Sequence, residues 1–244
     1  MENYLRAYAE INLDAINHNI REVKKNVGDD VKVMAVIKAD GYGHGAVMVA
    51  NSLNEIGIDG FAVAIIEEGI VLRKRGIQSP ILILGYTSPY QYGELVQYGL
   101  TQTVFRYEMA EKISEFAVLL GKTAKIHIKV DTGMNRIGFK DNEESIEIIR
   151  KIKELPNIEI EGIFTHFACA DETDKKSAYH QYQRYAKFVE RLEAVGVSIP
   201  IKHVSNSAAI MELPSVYFDA VRPGIILYGC YPSHEVDKNQ LSLK

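Results

Sequence analysis

Short apolar runs recur along this chain, and most are followed by a stretch whose apolar residues return every three or four positions. Segments 31–39, 61–65, 81–84, 101–105, 125–130, 158–165, 201–204 and 220–227 read as strands, and 46–56 as one of the helices between them. Many of the strand runs are continuous and β-branched rather than alternating, which suits parallel strands buried on both faces. Gly57, Gly76, Gly99, Gly121 and Gly196 fall close before the next strand. Glycine closes helices there because it takes the left-handed conformation at little cost. About eight strand–helix units in a chain of this length is the arithmetic of a (β/α)8 barrel of the TIM type, and a doubly wound open sheet shares the pattern. In both folds, ligands gather at the C-terminal ends of the strands.

The ends of the chain read differently. Segment 6–13 (RAYAEINL) alternates like a strand with one buried face. A helix follows, with Asp14 as its N-cap and Ile16, Ile20, Val23 and Val27 on one face. Segment 240–244 (QLSLK) also alternates as a strand should.

Composition narrows the function classes. The chain has 244 residues, 47% of them hydrophobic, which is enough for a substantial core. A net charge of −4 with no basic stripe argues against nucleic acid and anionic membranes as partners. The two cysteines, Cys169 and Cys230, form neither a disulfide framework nor a zinc pattern and read as thiols in a reducing compartment. No apolar stretch approaches the ~20 residues that span a bilayer, and the first residues are polar, so the expectation is a cytoplasmic protein. His18, His44, His127, His180, His203 and His234 show no metal-ligand spacing, and Tyr179, Tyr182 and Tyr185 read as a packed face of a charged helix.

Lys38 is the first chemical anomaly. It closes a strongly apolar strand in VMAVIKADGYGHG, where burial would lower its pKa and make it a nucleophile or a base. On position alone, a lysine whose ammonium reaches solvent is the commoner reading. Gly41, Gly43 and Gly45 permit close backbone approach to a ligand, and Tyr42 offers a hydroxyl to a phosphate. The glycine pattern is neither a Walker loop nor a dinucleotide fingerprint.

AVIKADGYGHG resembles the cofactor-lysine motif of alanine racemases nearly residue for residue. RAYAEINLDAINHNI, KVDTGMNRIGF, THFACAD, HVSNSAA and FDAVRPGIILYG resemble further motifs of that family, in the same order along nearly the whole chain. The resemblance implies pyridoxal 5′-phosphate as cofactor and alanine as substrate, in a homodimeric enzyme of D-alanine supply for the cell wall. It implies that Lys38 carries the cofactor and acts as one of two acid–base groups. It places Tyr42, Ser207, Gly224 and Ile225 at the phosphate, and Asn206 and His166 along the cofactor. Arg136 would hold the cofactor's phenolic oxygen and the substrate carboxylate. Arg222 would face the pyridine nitrogen, where a donor-only group favours the unprotonated ring and a short-lived carbanion. Lys129 matches a lysine that in similar racemases can be carbamylated.

The resemblance also implies a β-rich second domain that supplies the opposing catalytic tyrosine. Residues 14–232 are then the cofactor barrel, 1–13 a strand that belongs with the second domain, and 233–244 its start. These residues alone are expected to bind cofactor but to racemise feebly. A non-catalytic pyridoxal-phosphate-binding barrel and a racemase acting on serine are the alternatives.

Overall fold

Strands buried on both faces need a layer of helices outside and their own side chains inside, and a closed parallel barrel provides both. The computed structural model describes residues 8–244. After α1 (Leu13–Val27) come β1 (Lys32–Val36), the irregular turn α2 (Lys38–Tyr42), α3 (Ala46–Glu55), β2 (Gly60–Val63), α4 (Ile66–Lys74) and β3 (Ile81–Ile83). The chain continues through α5 (Tyr92–Gln97), β4 (Thr101–Val104), α6 (Tyr107–Leu119), β5 (Ala124–Asp131), β6 (Phe139–Lys140) and α7 (Glu143–Lys153). It then runs through β7 (Ile158–Phe164), α8 (Lys176–Ala194), β8 (Ile201–His203), α9 (Ser207–Glu212) and β9 (Ala220–Val221).

All ladders are parallel, and the pairings β4–β5 and β9–β1 join what would otherwise be the edges of an open sheet. Eight strands, β1 to β5 and β7 to β9, therefore close a barrel, and the doubly wound alternative is excluded. The dyad β6 adds only to the C-terminal end of β5, at Val130 and Asp131. The core lies between ring and helices, where Ile20, Leu53, Phe61, Ile81, Tyr185 and Phe188 are fully buried. β9 is followed by a 3-10 turn, Ile225–Tyr228, rather than a helix. The preceding α1 packs on that turn and on α3 and α9, so it completes the outer layer from the N-terminal side.

Several expectations need correction. Residues 8–12 form no strand, and Arg6 and Ala7 lie outside the described residues. The cap of α1 is Asn12, whose side chain accepts from the Ala15 N–H, and Asp14 lies in the first turn, where its charge still suits the helix dipole. The strand expected over 220–227 stops at Val221, because Pro223 and the 3-10 turn redirect the backbone. The expected 240–244 strand joins no ladder. Instead Lys244 exchanges two hydrogen bonds with the buried Asn19, and Leu241 packs into the core. Of the three tyrosines of α8, Tyr185 is buried and donates to the Ile163 carbonyl, while Tyr179 is exposed. All five helix-ending glycines have positive φ, between 59° and 89°.

The barrel interior is packed tightly enough to exclude a methyl group at Gly162. A Cβ there would lie 2.5 Å from the ring of His127, which is itself buried. Overpacking at such a point costs ~1–3 kcal/mol. The Gly162→Ala variant should therefore lower the urea midpoint with an unchanged m-value; an unaltered midpoint would mean that the His127 ring moves aside freely.

Candidate active site

The site begins with a backbone that L-residues avoid. β1 ends at Val36, two residues before Lys38, and the chain then turns left-handed through Ala39 (φ 51°), Asp40 (φ 52°), Gly41 (φ 63°) and Tyr42 (φ 54°). Each non-glycine residue in this conformation costs ~1–2 kcal/mol. Specific contacts hold the turn. The Glu68 carboxylate accepts from the N–H groups of Ala39, Ala64 and Ile65, and Asp40 accepts from the Ala46 N–H at the start of α3. At Gly41, a Cβ would approach the Ala46 backbone nitrogen to 3.3 Å. Glu68 was not anticipated from sequence; the only signal was an acidic pair, Glu67 and Glu68, in the first turn of a helix.

This turn aims Lys38 and Tyr42 into a cavity of about 560 Å³ at the C-terminal mouth of the barrel. All ten residues singled out by sequence line it: Lys38, Tyr42, Lys129, Arg136, His166, Asn206, Ser207, Arg222, Gly224 and Ile225. They come from the ends of five barrel strands and the loops after them. A pocket of this volume with converging polar groups is typical of a cofactor site. Tyr86, Phe164 and Asp171 also line it and were not anticipated, because nothing in their local sequence marks them.

One end of the cavity is built from uncharged donors. The Gly224 N–H donates to Ser207 Oγ at 2.9 Å, and a Cβ on Gly224 would meet the Tyr42 hydroxyl at 3.3 Å and Ser207 Oγ at 3.7 Å. Three donor groups thus converge around a residue with no side chain. The first N–H groups of the 3-10 turn beginning at Ile225 lack partners within that turn. Asn206 caps α9 through its Oδ1, which accepts from the Ala209 N–H. Tyr42 also packs on Tyr228, at 5.1 Å between centroids. This cradle suits the phosphate of pyridoxal 5′-phosphate, and Lys38 lies in the wall of the same cavity, so the residues present fit that cofactor.

The other end is cationic. Arg222 is 3% exposed, and burial without an adjacent carboxylate draws its guanidinium down to about 10. Its NH2 donates to the Thr165 and Val204 carbonyls at 2.8 and 3.0 Å, and contacts His166 Nδ1 at 3.4 Å. Its NH1 meets His203 Nδ1 at 2.5 Å. Burial, followed by the charge of Arg222, holds His166 and His203 well below the usual imidazole range. Lys129 is 2% exposed, and burial followed by Arg222 draws its ammonium down to about 7. Its Nζ donates to the Val130 carbonyl at 2.7 Å. Arg136 is exposed at the rim, in the loop whose Gly133 and Asn135 N–H groups donate to Asp131. No group of histidine, cysteine or acidic residues among those described could hold a metal ion. Both cysteines are free thiols, and no helix among the described residues is long and apolar enough to cross a membrane.

Lys129 gives a pH signature. Below about 7 both folded and unfolded chains carry its proton, and the folded state bears the full burial cost. Between about 7 and the ordinary value of 10.5 the unfolded chain keeps a proton the folded chain has released, so stability rises with pH. The stability of Lys129→Met relative to the parent chain, measured by urea unfolding in carbon-dioxide-free buffer, should therefore fall across this window at up to about 1.4 kcal/mol per pH unit. Parallel stability curves would contradict this account of Lys129.

Comparison with known proteins places this geometry. The family model described as alanine racemase, N-terminal domain, matches residues 11–232. The chain is 51% identical to an alanine racemase of Desulforamulus reducens over 237 residues, which cover 97% of this chain and 64% of that protein. It is 52% identical to alanine racemase 2 of Caldanaerobacter subterraneus, covering 94% of this chain and 59% of the relative. The structure superposes on a crystallised alanine racemase of Clostridium difficile with a TM-score of 0.98 at 47% identity, covering 100% of this chain and 64% of that one. On the Bacillus anthracis alanine racemase with bound L-Ala-P the TM-score is 0.91 at 35% identity. The chain thus spans roughly six-tenths of the length of these relatives.

Proposed function

The chain belongs to the alanine racemase N-terminal-domain family, and from that premise we propose that it is the cofactor-carrying barrel of a pyridoxal 5′-phosphate-dependent racemase interconverting L- and D-alanine. The observation that carries the proposal is the single cavity where a lysine at a strand end, an uncharged donor cradle and a cationic wall meet. When bound, pyridoxal 5′-phosphate supplies a carbonyl that condenses with amines and a conjugated ring that takes up charge from the substrate's α-carbon. Tyr42, Ser207, Gly224 and Ile225 would hold the phosphate. The cradle carries no formal charge, so its N–H and O–H dipoles do the binding. Lys38 would hold the cofactor through Nζ and move a proton at one face of the α-carbon. Arg222 has only donors and, among the described residues, no carboxylate in contact, so beside the cofactor's ring nitrogen it would favour the unprotonated form. Arg136 at the rim, with its forked donors, would orient the substrate carboxylate.

Racemisation requires acid–base groups on both faces of the α-carbon. Lys38 supplies one. The opposing group belongs, in this reading, to the part of the relatives' length that this chain does not match, contributed across a homodimer. Residues 14–232 are then the barrel, residues 1–13 would belong with that part and residues 233–244 would be its start. Serine in place of alanine, and cofactor binding without turnover, remain the competing readings for residues 14–232 taken alone.

Purified protein mixed with pyridoxal 5′-phosphate and reduced with borohydride should carry the cofactor mass on the peptide containing Lys38. Lys38→Ala should carry none, and an adduct elsewhere with Lys38 unmodified would overturn the assignment.

Lys129 is, in this proposal, the site of a carbamate. Burial draws its ammonium down to about 7, so near neutral pH a substantial fraction of Nζ has the lone pair that attacks carbon dioxide; the N–C bond forms and a proton leaves to solvent. The resulting anion would answer the excess of cations around it. Native mass measurement in bicarbonate buffer should show one added carbon dioxide that is lost in Lys129→Met. Equal masses for the two backgrounds, after allowing for the substitution, would show a plain amine.

A further inference from the structure

Among the described residues Arg222 has no carboxylate in contact, yet its charge is buried. The hydrogen bonds leading away from it run down the barrel interior. His203 Nε2 meets His127 Nδ1 at 2.9 Å, and His127 Nε2 meets Glu161 Oε2 at 3.3 Å. Both rings are buried. Glu161 lies at the opposite mouth, on a cavity of about 100 Å³ formed by the N-terminal ends of the strands. Its other oxygen is 2.5 Å from Lys125 Nζ, and its contact with His127 helps hold its carboxyl down to about 2.

Chemistry leaves this chain one proton arrangement. Arginine has only donors, so His203 Nδ1 accepts. A neutral imidazole has one donor and one acceptor, so His203 Nε2 carries the hydrogen and donates to His127 Nδ1. His127 therefore carries its hydrogen on Nε2 and donates to the Glu161 carboxylate. A proton added to His203 would set an N–H against the Arg222 N–H; one added to His127 would set two N–H groups against each other. Both rings are closely packed. Phe164 stacks on His203 with centroids 4.8 Å apart and planes 8° from parallel, and the absent side chain of Gly162 leaves His127 only its own volume.

We propose that Glu161 is the counter-ion of Arg222, acting through His127 and His203 across the length of the barrel, and that this directed relay fixes the orientation of Arg222 at the cavity. Glu161, His127 and His203 are positioning residues: none lines the cavity at the other mouth. The relay places the negative charge where it cannot compete for the proton of a bound ring nitrogen. A carboxylate beside that nitrogen would hold the proton there; one delivered through two neutral imidazoles balances Arg222 while presenting only donors. The relevance of this to the cofactor rests on the function proposed above, but the tautomers do not.

The test is 15N NMR of imidazole-labelled protein without cofactor, near neutral pH, where protonated and bare ring nitrogens give separate resonances. Both His127 and His203 should be neutral with hydrogen on Nε2. His203 found with hydrogen on Nδ1, or as an imidazolium, overturns the relay. Glu161→Leu should abolish the single-tautomer pattern at His127 and disturb His203, while Glu161→Gln, whose amide oxygen still accepts, should restore it. Lys125→Met removes the ion pair at the base and should leave both rings unchanged; a disturbance equal to that of Glu161→Leu would mean that Glu161 acts only as a structural ion-pair partner. Because no step needs pyridoxal 5′-phosphate, failure of cofactor binding and failure of the relay are read separately. With cofactor present, Glu161→Leu should also shift the visible absorption band, an effect at one mouth of the barrel of a change at the other.

Discussion

A single buried guanidinium organises the interior of this barrel. Arg222 rises from the end of the last strand into the ring of β-strands, and an uncompensated charge there would cost several kcal/mol. The structure answers with carbonyl acceptors from Thr165 and Val204 and with the ring of His203. Those contacts tie the ends of β7, β8 and β9 together on one side of the cavity. The same charge sets the protonation of its neighbours. It contributes to keeping His166 and His203 neutral and lowers Lys129 toward neutrality. Remove it, and the acid–base character of the whole mouth changes.

The two ends of the cavity solve opposite problems. At the Tyr42 end the protein offers dipoles and hydroxyls around a glycine rather than cations, a lining that suits negative charge. Such groups bind an anion without adding a further charge to a site already crowded with them. At the Arg222 end the cations are desolvated, so they act at close range and with little screening. A ligand that is anionic at one end and presents a hydrogen-bond-accepting ring nitrogen at the other would match this division. Between the ends, the left-handed turn after β1 points Lys38 and Tyr42 into the same space. Its conformational cost is met by Glu68, Asp40 and Gly41, so rigidity here comes from neighbours outside the cavity lining.

Much of this was legible in the amino-acid order. Strand runs such as 81–84 and 101–105 appear within a residue of their observed bounds, because continuous β-branched runs between glycine-closed helices have few other solutions. The ten cavity residues were found as well, through motifs dense enough to mark the ends of particular strands. The errors fall at the ends of the chain and at β9. Periodicity of two does not tell a paired strand from an extended tail: segments 6–13 and 240–244 alternate like strands, yet among the described residues neither 8–12 nor 240–244 joins a ladder. At 220–227 an apolar run concealed the turn that lifts Gly224 and Ile225 to the cavity.

What the sequence alone determined is therefore the eight-unit pattern, the lysine turn and the identity of the groups at the strand ends. The first two rest on spacing and backbone preference among neighbouring residues, and the groups at the strand ends on the resemblance of whole motifs to a known family. What only the tertiary structure decided is closure of the ring and everything closure brings face to face. The pairing of β4 with β5 and of β9 with β1 separates a barrel from an open sheet, and no local pattern records it. His127, His203 and Glu161 lie far apart along the chain and gave no signal as a set. They form one line of hydrogen bonds because inward positions of β5, β7 and β8 share the axis of a closed barrel, where a buried charge leaves its neighbours only one way to arrange their protons.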